Sequence, residues 1–131
     1  ALVIGLKNRA TYKSVSAFAP ICNPMNCPWG EKAFTGYLGS NKDSWSAYDA
    51  CELLKALPQD AGKLAILVDQ GLADSFYTDK QLLPEALQEA GRAAGDACDL
   101  SVNMREGYNH SYYFIATFIE DHLRFHAKHL L

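Results

Sequence analysis

No excess of positive charge, no long apolar run and no phosphate-cradling glycine loop occur in these 131 residues. Twelve Lys and Arg against 15 Asp and Glu leave a net charge of −3. A phosphate backbone is bound by clustered cations, so nucleic-acid binding is not expected. The apolar runs fall far short of the roughly 20 residues that cross a bilayer, which argues against a membrane span. No basic segment followed by an apolar one opens the chain, so no secretory signal is read. Gly36 and Gly39 have neither a preceding strand nor the Gly-Lys-Ser/Thr ending of a P-loop. Repeats and low-complexity tracts are missing as well. Cys22, Cys27, Cys51 and Cys98 do not form two close pairs, so a zinc knuckle is not expected. They read as free buried thiols of a reducing cytosol, with a Cys22–Cys27 disulfide as the minor alternative.

What is present is the composition of a globular domain, with 49% hydrophobic and 21% charged residues. Residues 1–7 read as a helix already under way, because no capping residue precedes the apolar run. That is the expectation for a chain cut within a helix. Residues 12–20 alternate and then turn apolar, which fits a buried strand closed by Pro20. Pro24, Pro28 and Gly30 make 21–31 a loop, and 33–38 a short helical turn. Asp43 or Ser44 caps a helix running to Ala56, with Trp45, Tyr48, Leu53 and Leu54 inward. Leu64-Ala65-Ile66-Leu67-Val68 is continuous and apolar, as in a strand covered on both faces. A helix over 82–94 ends at Gly95, a strand covers 100–104, and a long amphipathic helix covers 111–130, capped by Asn109 or Ser111. Strands alternating with helices imply a parallel sheet joined by right-handed crossovers, an α/β class with no internal boundary.

In such sheets functional loops leave the carboxyl ends of strands. Asp69 and Asp74 follow the strand ending at Val68. Glu106 and His110, in the stretch Gly107-Tyr108-Asn109-His110-Ser111, follow the strand ending at Met104. A histidine near neutral pKa can take a proton and return it, and a carboxylate holds its tautomer. Asp74 is the choice for that carboxylate and Asp69 the fallback. Asp before His is the back half of a Ser…Asp…His order, and the front half, a serine in a G-x-S-x-G elbow, is not in the chain. His122, His126 and His129 share one helical face. That spacing can bind a metal, but no further ligand stands in place, and a solvated face is the better reading. Phe114, Ile115, Phe118, Ile119 and Phe125 form the core stripe of the same helix. Trp29 either walls an acyl or thiol pocket or simply packs.

The run Ser14-Val15-Ser16-Ala17-Phe18-Ala19-Pro20-Ile21-Cys22-Asn23-Pro24, followed by Cys27-Pro28-Trp29-Gly30, resembles the S-formylglutathione hydrolase (esterase D) family. Lys32-Ala33-Phe34, Gly36-Tyr37-Leu38-Gly39, Tyr48-Asp49-Ala50, Val68-Asp69-Gln70-Gly71, Asp74 with Phe76, and Gln81-Leu82-Leu83-Pro84 extend the likeness. The most specific block is Glu106-Gly107-Tyr108 with His110-Ser111-Tyr112-Tyr113-Phe114-Ile115-Ala116-Thr117-Phe118-Ile119. The resemblance covers essentially the whole chain. It implies the α/β-hydrolase fold, with residues 1–131 the C-terminal portion of one such domain and its N-terminal half absent. It implies a serine thioesterase of glutathione-dependent formaldehyde detoxification, with Asp74 and His110 as triad acid and base and no cofactor or metal. The implied partners are S-formylglutathione and short-chain esters, with a homodimer left open, in the cytoplasm. The family's elbow serine would stand just before Ala1, and neither oxyanion donor is present. A chain so cut would leave sheet edges and apolar faces bare and is expected to fold poorly by itself. A general carboxylesterase of the same fold and a non-catalytic α/β-hydrolase-like binding protein are the competing readings.

Overall fold

The computed structural model describes residues 1–59 and 62–131. Three strands, β1 (Ser14–Phe18), β2 (Leu64–Gly71) and β3 (Cys98–Arg105), form a parallel sheet in the order β1-β2-β3. The central strand β2 is buried at all eight positions. Its apolar run is what a strand covered on both faces requires. The register sets Phe18 beside Asp69 and Asp69 beside Asn103, so all three strands end at one edge of the sheet.

Side chains alternate along a strand, and the two faces of this sheet have different coverings. Val15, Ile66 and Val68 point into a core with Leu2 and Leu6 of α1 (Leu2–Lys7), Leu54 of α3 (Ala50–Lys55) and Leu87 and Ala90 of α5 (Pro84–Ala94). The opposite face carries Ser14, Ser16, Phe18 and Asp69. It lies under α6 (Tyr112–Leu130), whose His126 and His122 reach those residues. A smaller apolar cluster of Ala19, Leu82 and Phe114, with Phe18, Phe76, Tyr108 and Phe118 against it, closes the carboxyl end of the strands. Among the described residues β1 and β3 each pair on one side only.

Several boundaries move from the sequence reading. The expected loop over 21–31 gives way at Pro28 to α2 (Pro28–Leu38). Proline suits the first helical position, where no N–H partner is needed, and Cys27 Sγ caps Gly30 N. The helix expected from Asp43 breaks into two short 3-10 turns, and α3 begins only at Ala50. The stop is Asp49. Its buried carboxylate accepts from Cys51 N and Glu52 N as a cap, and also from Asn23 Nδ2 and Met25 N. Within the broken stretch Trp45 is buried as expected, whereas Tyr48 is exposed. Strand β2 runs past Val68 to Gly71, because β3 continues the ladder to Arg105. The short helix α4 (Ser75–Thr78) was not expected, and of the two caps expected for α6 it is Ser111 that serves. Of the expected stripe on α6, Phe114 is fully buried and Ile119 is exposed.

Candidate active site

The strand ends supply two loops that touch each other. After β2 the chain turns through Leu72 and Ala73 into α4, with Asp74 at its N-cap. Asp74 Oδ1 accepts Phe76 N at 2.8 Å, so helix capping fixes the carboxylate. After β3 the loop 106–111 folds back over Gly71. Leu72 N donates to Arg105 O and Ala73 N to Tyr108 O. A Cβ on Gly71 would overlap the Tyr108 carbonyl, so only glycine admits this approach. Gly107, at φ 81°, supplies the left-handed residue that turns the loop. Tyr108 packs on Phe114 and Phe118, which seats the loop on the first turns of α6.

The two loops bring His110 and Asp74 together. His110 Nδ1–H donates to Asp74 Oδ2 at 2.8 Å. Gln70 Nε2 donates to the same oxygen at 3.1 Å. Asp74 is fully buried, while the His110 side chain is 43% exposed. With Nδ1 donating, Nε2 carries the lone pair and faces outward as a base can. His110 lines a cavity of about 520 Å³ with Phe18, Ala19, Ser111, Phe114 and Ile115. Ala19 holds φ 45° there, an unusual backbone for a residue with a Cβ. On the other side the His110 ring meets the edge of Phe76 at 4.9 Å, and Phe76 meets Trp29 at 4.8 Å. Trp29 thus ends an aromatic row leading to the histidine, and its backbone N–H is held by Gln81 Oε1. Among the described residues no serine hydroxyl hydrogen-bonds His110.

Asp69, the fallback carboxylate, is not at His110. It is buried in β2, where Arg105 Nε donates to Oδ1 at 2.6 Å and His122 Nε2 to Oδ2 at 2.7 Å. Burial alone pushes its carboxyl up, but the hydrogen bonds from His122 and Arg105 outweigh that and hold it below the usual carboxylate range. The described residues therefore hold two Asp–His pairs, and access separates them. His122 is 2% exposed and stacked beneath Phe18 at 3.9 Å, so no substrate reaches it.

The expectation of a solvated histidine face on α6 is corrected accordingly. His122 is buried against Asp69. His126 is held between Ser14 Oγ and Ser16 Oγ at 2.8 and 2.9 Å. His126 and His129, both against Phe125, are half-buried. No three His, Cys, Asp or Glu side chains converge for a metal ion among the described residues. Glu106 is exposed and stands apart from the pair. The four cysteines are free and buried. Burial and the Asp49 carboxylate push the Cys51 thiol up to about 12, and burial with Cys51 beside it raises Cys22.

Sequence reasoning missed Gln70 and the Asp69–His122–Arg105 cluster. The usable signal was Asp69-Gln70 continuing a strand buried on both faces, where polar groups must have partners.

A model of the Esterase family matches residues 1–125. The chain is 54% identical over 130 residues to the S-formylglutathione hydrolase of Bos taurus, and 52% identical to those of Rattus norvegicus and Mus musculus. These alignments cover 99% of this chain and 45% of each relative, so the chain spans about half the length of the curated proteins it matches. A solved S-formylglutathione hydrolase from Agrobacterium tumefaciens superposes on all of the chain with a TM-score of 0.87 and 44% identity, again over 45% of that protein.

Proposed function

The chain belongs to the Esterase family, and from that membership we propose that it supplies the acid and base of a serine thioesterase acting on S-formylglutathione. The observation that carries the proposal is the buried Asp74 bonded to an accessible His110 at the mouth of a cavity. The 52–54% identity to S-formylglutathione hydrolases supports that choice of substrate. The nucleophile in this reading is a serine from the half of such a hydrolase that the match to this chain does not cover. His110 Nε2 takes the proton of that serine as it attacks the formyl carbonyl. Asp74 holds the imidazole in its Nδ1–H tautomer and stabilises the imidazolium. The glutathione thiolate leaves and takes the proton back. His110 then activates water, which releases formate and restores the serine. No step draws on a cofactor. The largely apolar lining by Phe18, Ala19, Phe114 and Ile115 supports a range of short acyl groups, hence short-chain esters as further substrates. The free thiols suit a reducing, cytoplasmic setting.

The test is hydrolysis of S-formylglutathione by the whole protein, followed by loss of thioester absorbance, beside a short-chain aryl ester. Faster turnover of the thioester is the expected result. Turnover of the ester alone would make the protein a general carboxylesterase. Turnover of neither would leave a binding protein on a hydrolase scaffold.

A further inference from the structure

The loop that carries His110 is fastened at its base, by Ala73 N on Tyr108 O and by Tyr108 on Phe114 and Phe118, and is open at its tip. Residues 106, 107, 109 and 110 are exposed, and among the described residues the one side-chain hydrogen bond of His110 is the one its Nδ1–H gives Asp74. Its two flanks share one buried carboxylate. Arg105, the last residue of β3, leads into the loop, and α6 leads out of it. Asp69 binds both, taking Arg105 Nε on one oxygen at 2.6 Å and His122 Nε2 of α6 on the other at 2.7 Å. Arg105 also lies over the Phe118 ring at 4.2 Å, and His122 lies flat on Phe18, a wall of the cavity.

A role in cohesion alone does not account for this cluster. Desolvation offsets most of the attraction in a buried ion pair, and apolar side chains of the same size would serve as well. His122 also leaves Nδ1 buried without a partner among the described residues, a cost that an apolar ring would not carry. What an apolar ring could not do is fix direction. Two hydrogen bonds on one carboxylate set the angle between the end of β3 and the axis of α6, and the loop 106–111 spans that angle.

We propose that Asp69, Arg105 and His122 are positioning residues, which hold the His110 loop so that the imidazole meets Asp74 and faces the cavity. The inference rests on the reading of His110 as the general base. Displacing a base by as little as 1 Å costs on the order of 100-fold in rate, so a loosened clamp is visible in turnover.

The test compares variants of the whole protein. His122→Phe keeps a ring on Phe18 and removes the donor to Asp69. The expected result is a kcat for S-formylglutathione lower by about 10- to 100-fold with KM within about twofold. The low-field proton resonance of His110 Nδ1–H is expected to broaden or vanish. His122→Gln, which can still donate to Asp69, is expected to recover most of both. Arg105→Gln, on a half-exposed side chain, covers the case in which His122→Phe does not fold, and is expected to show the same split more weakly. The proposal is overturned if kcat per folded molecule and the resonance match the parent while Tm alone falls. A parent protein that shows the resonance but no thioesterase activity would overturn the functional reading instead, and the clamp would then be decided by the resonance in the variants.

Discussion

At the scale of the residue, two aspartates five positions apart have unlike surroundings and unlike uses. Asp74 faces an exposed histidine, and Asp69 faces a buried one. Asp74→Asn retains an oxygen for the backbone N–H of Phe76, so α4 stays capped. It loses the charge that holds the Nδ1–H tautomer of His110. Thioesterase turnover in the whole protein is expected to fall by on the order of 10⁴ with little change in Tm, measured by steady-state kinetics beside a thermal melt. His110→Ala is expected to lose at least as much. A near-normal rate in either would remove these residues from the mechanism. The cysteines yield a second expectation. Cys22, Cys51 and Cys98 are buried and held as thiols, Cys51 with a pKa near 12. A thiol reagent at pH 8 is expected to find essentially no fast-reacting group in the folded protein and all four after denaturation.

At the scale of the element, the parallel order of strands and helices was legible in the sequence because its signals are local. The apolar run from Leu64 to Val68 can be little else than a strand covered on both faces, and Phe114 with Phe118 marks the inner face of α6. Asp74 and His110 were singled out as well, since both follow strand ends, with Asp69 as the fallback, and the structure brings the first two side chains together. What could not be read depends on partners far along the chain. The helix expected from Asp43 begins only after Asp49, whose carboxylate Asn23 and Met25 hold in the core. His122 looked solvated because its partner, Asp69, lies 53 residues away. Asp49→Ala strips four donors of their shared acceptor. It is expected to cost about 2–4 kcal/mol, read as a shifted midpoint in denaturant with an unchanged slope. Gly71→Ala acts on the same scale, because its Cβ must displace the backbone of Tyr108. It is expected to weaken the His110 resonance and lower kcat more than its loss in Tm alone would explain.

At the scale of the whole molecule, two side chains give stability a dependence on pH. Burial, with His122 and His129 nearby, lowers the pKa of His126 below its usual value. A lowered folded-state pKa means stability that is complete above the unfolded value, about 6.5, and lost as pH falls from there to the folded value. Asp69 is likewise lowered, so its contribution is complete above about pH 3.9 and lost only below that. The melting temperature is therefore expected to decline in a first shallow limb below about pH 6.5 and in a second below about pH 4. His126→Gln is expected to remove the first limb and leave the second, which calorimetry across pH can check. The edges of the sheet carry a further expectation. Backbone groups along the outer side of β1 have no strand beside them among the described residues. The 131 residues expressed by themselves are expected to self-associate and to show a weak near-ultraviolet dichroism signal. The meeting of Gly71 with Tyr108 has a last consequence, for length rather than for chemistry. Two loops joined backbone to backbone cannot gain or lose residues independently. Insertions and grafts belong in the stretch of short turns before α3, which holds neither half of that junction, and every working variant of this scaffold must keep 71–74 and 106–111 at their present lengths.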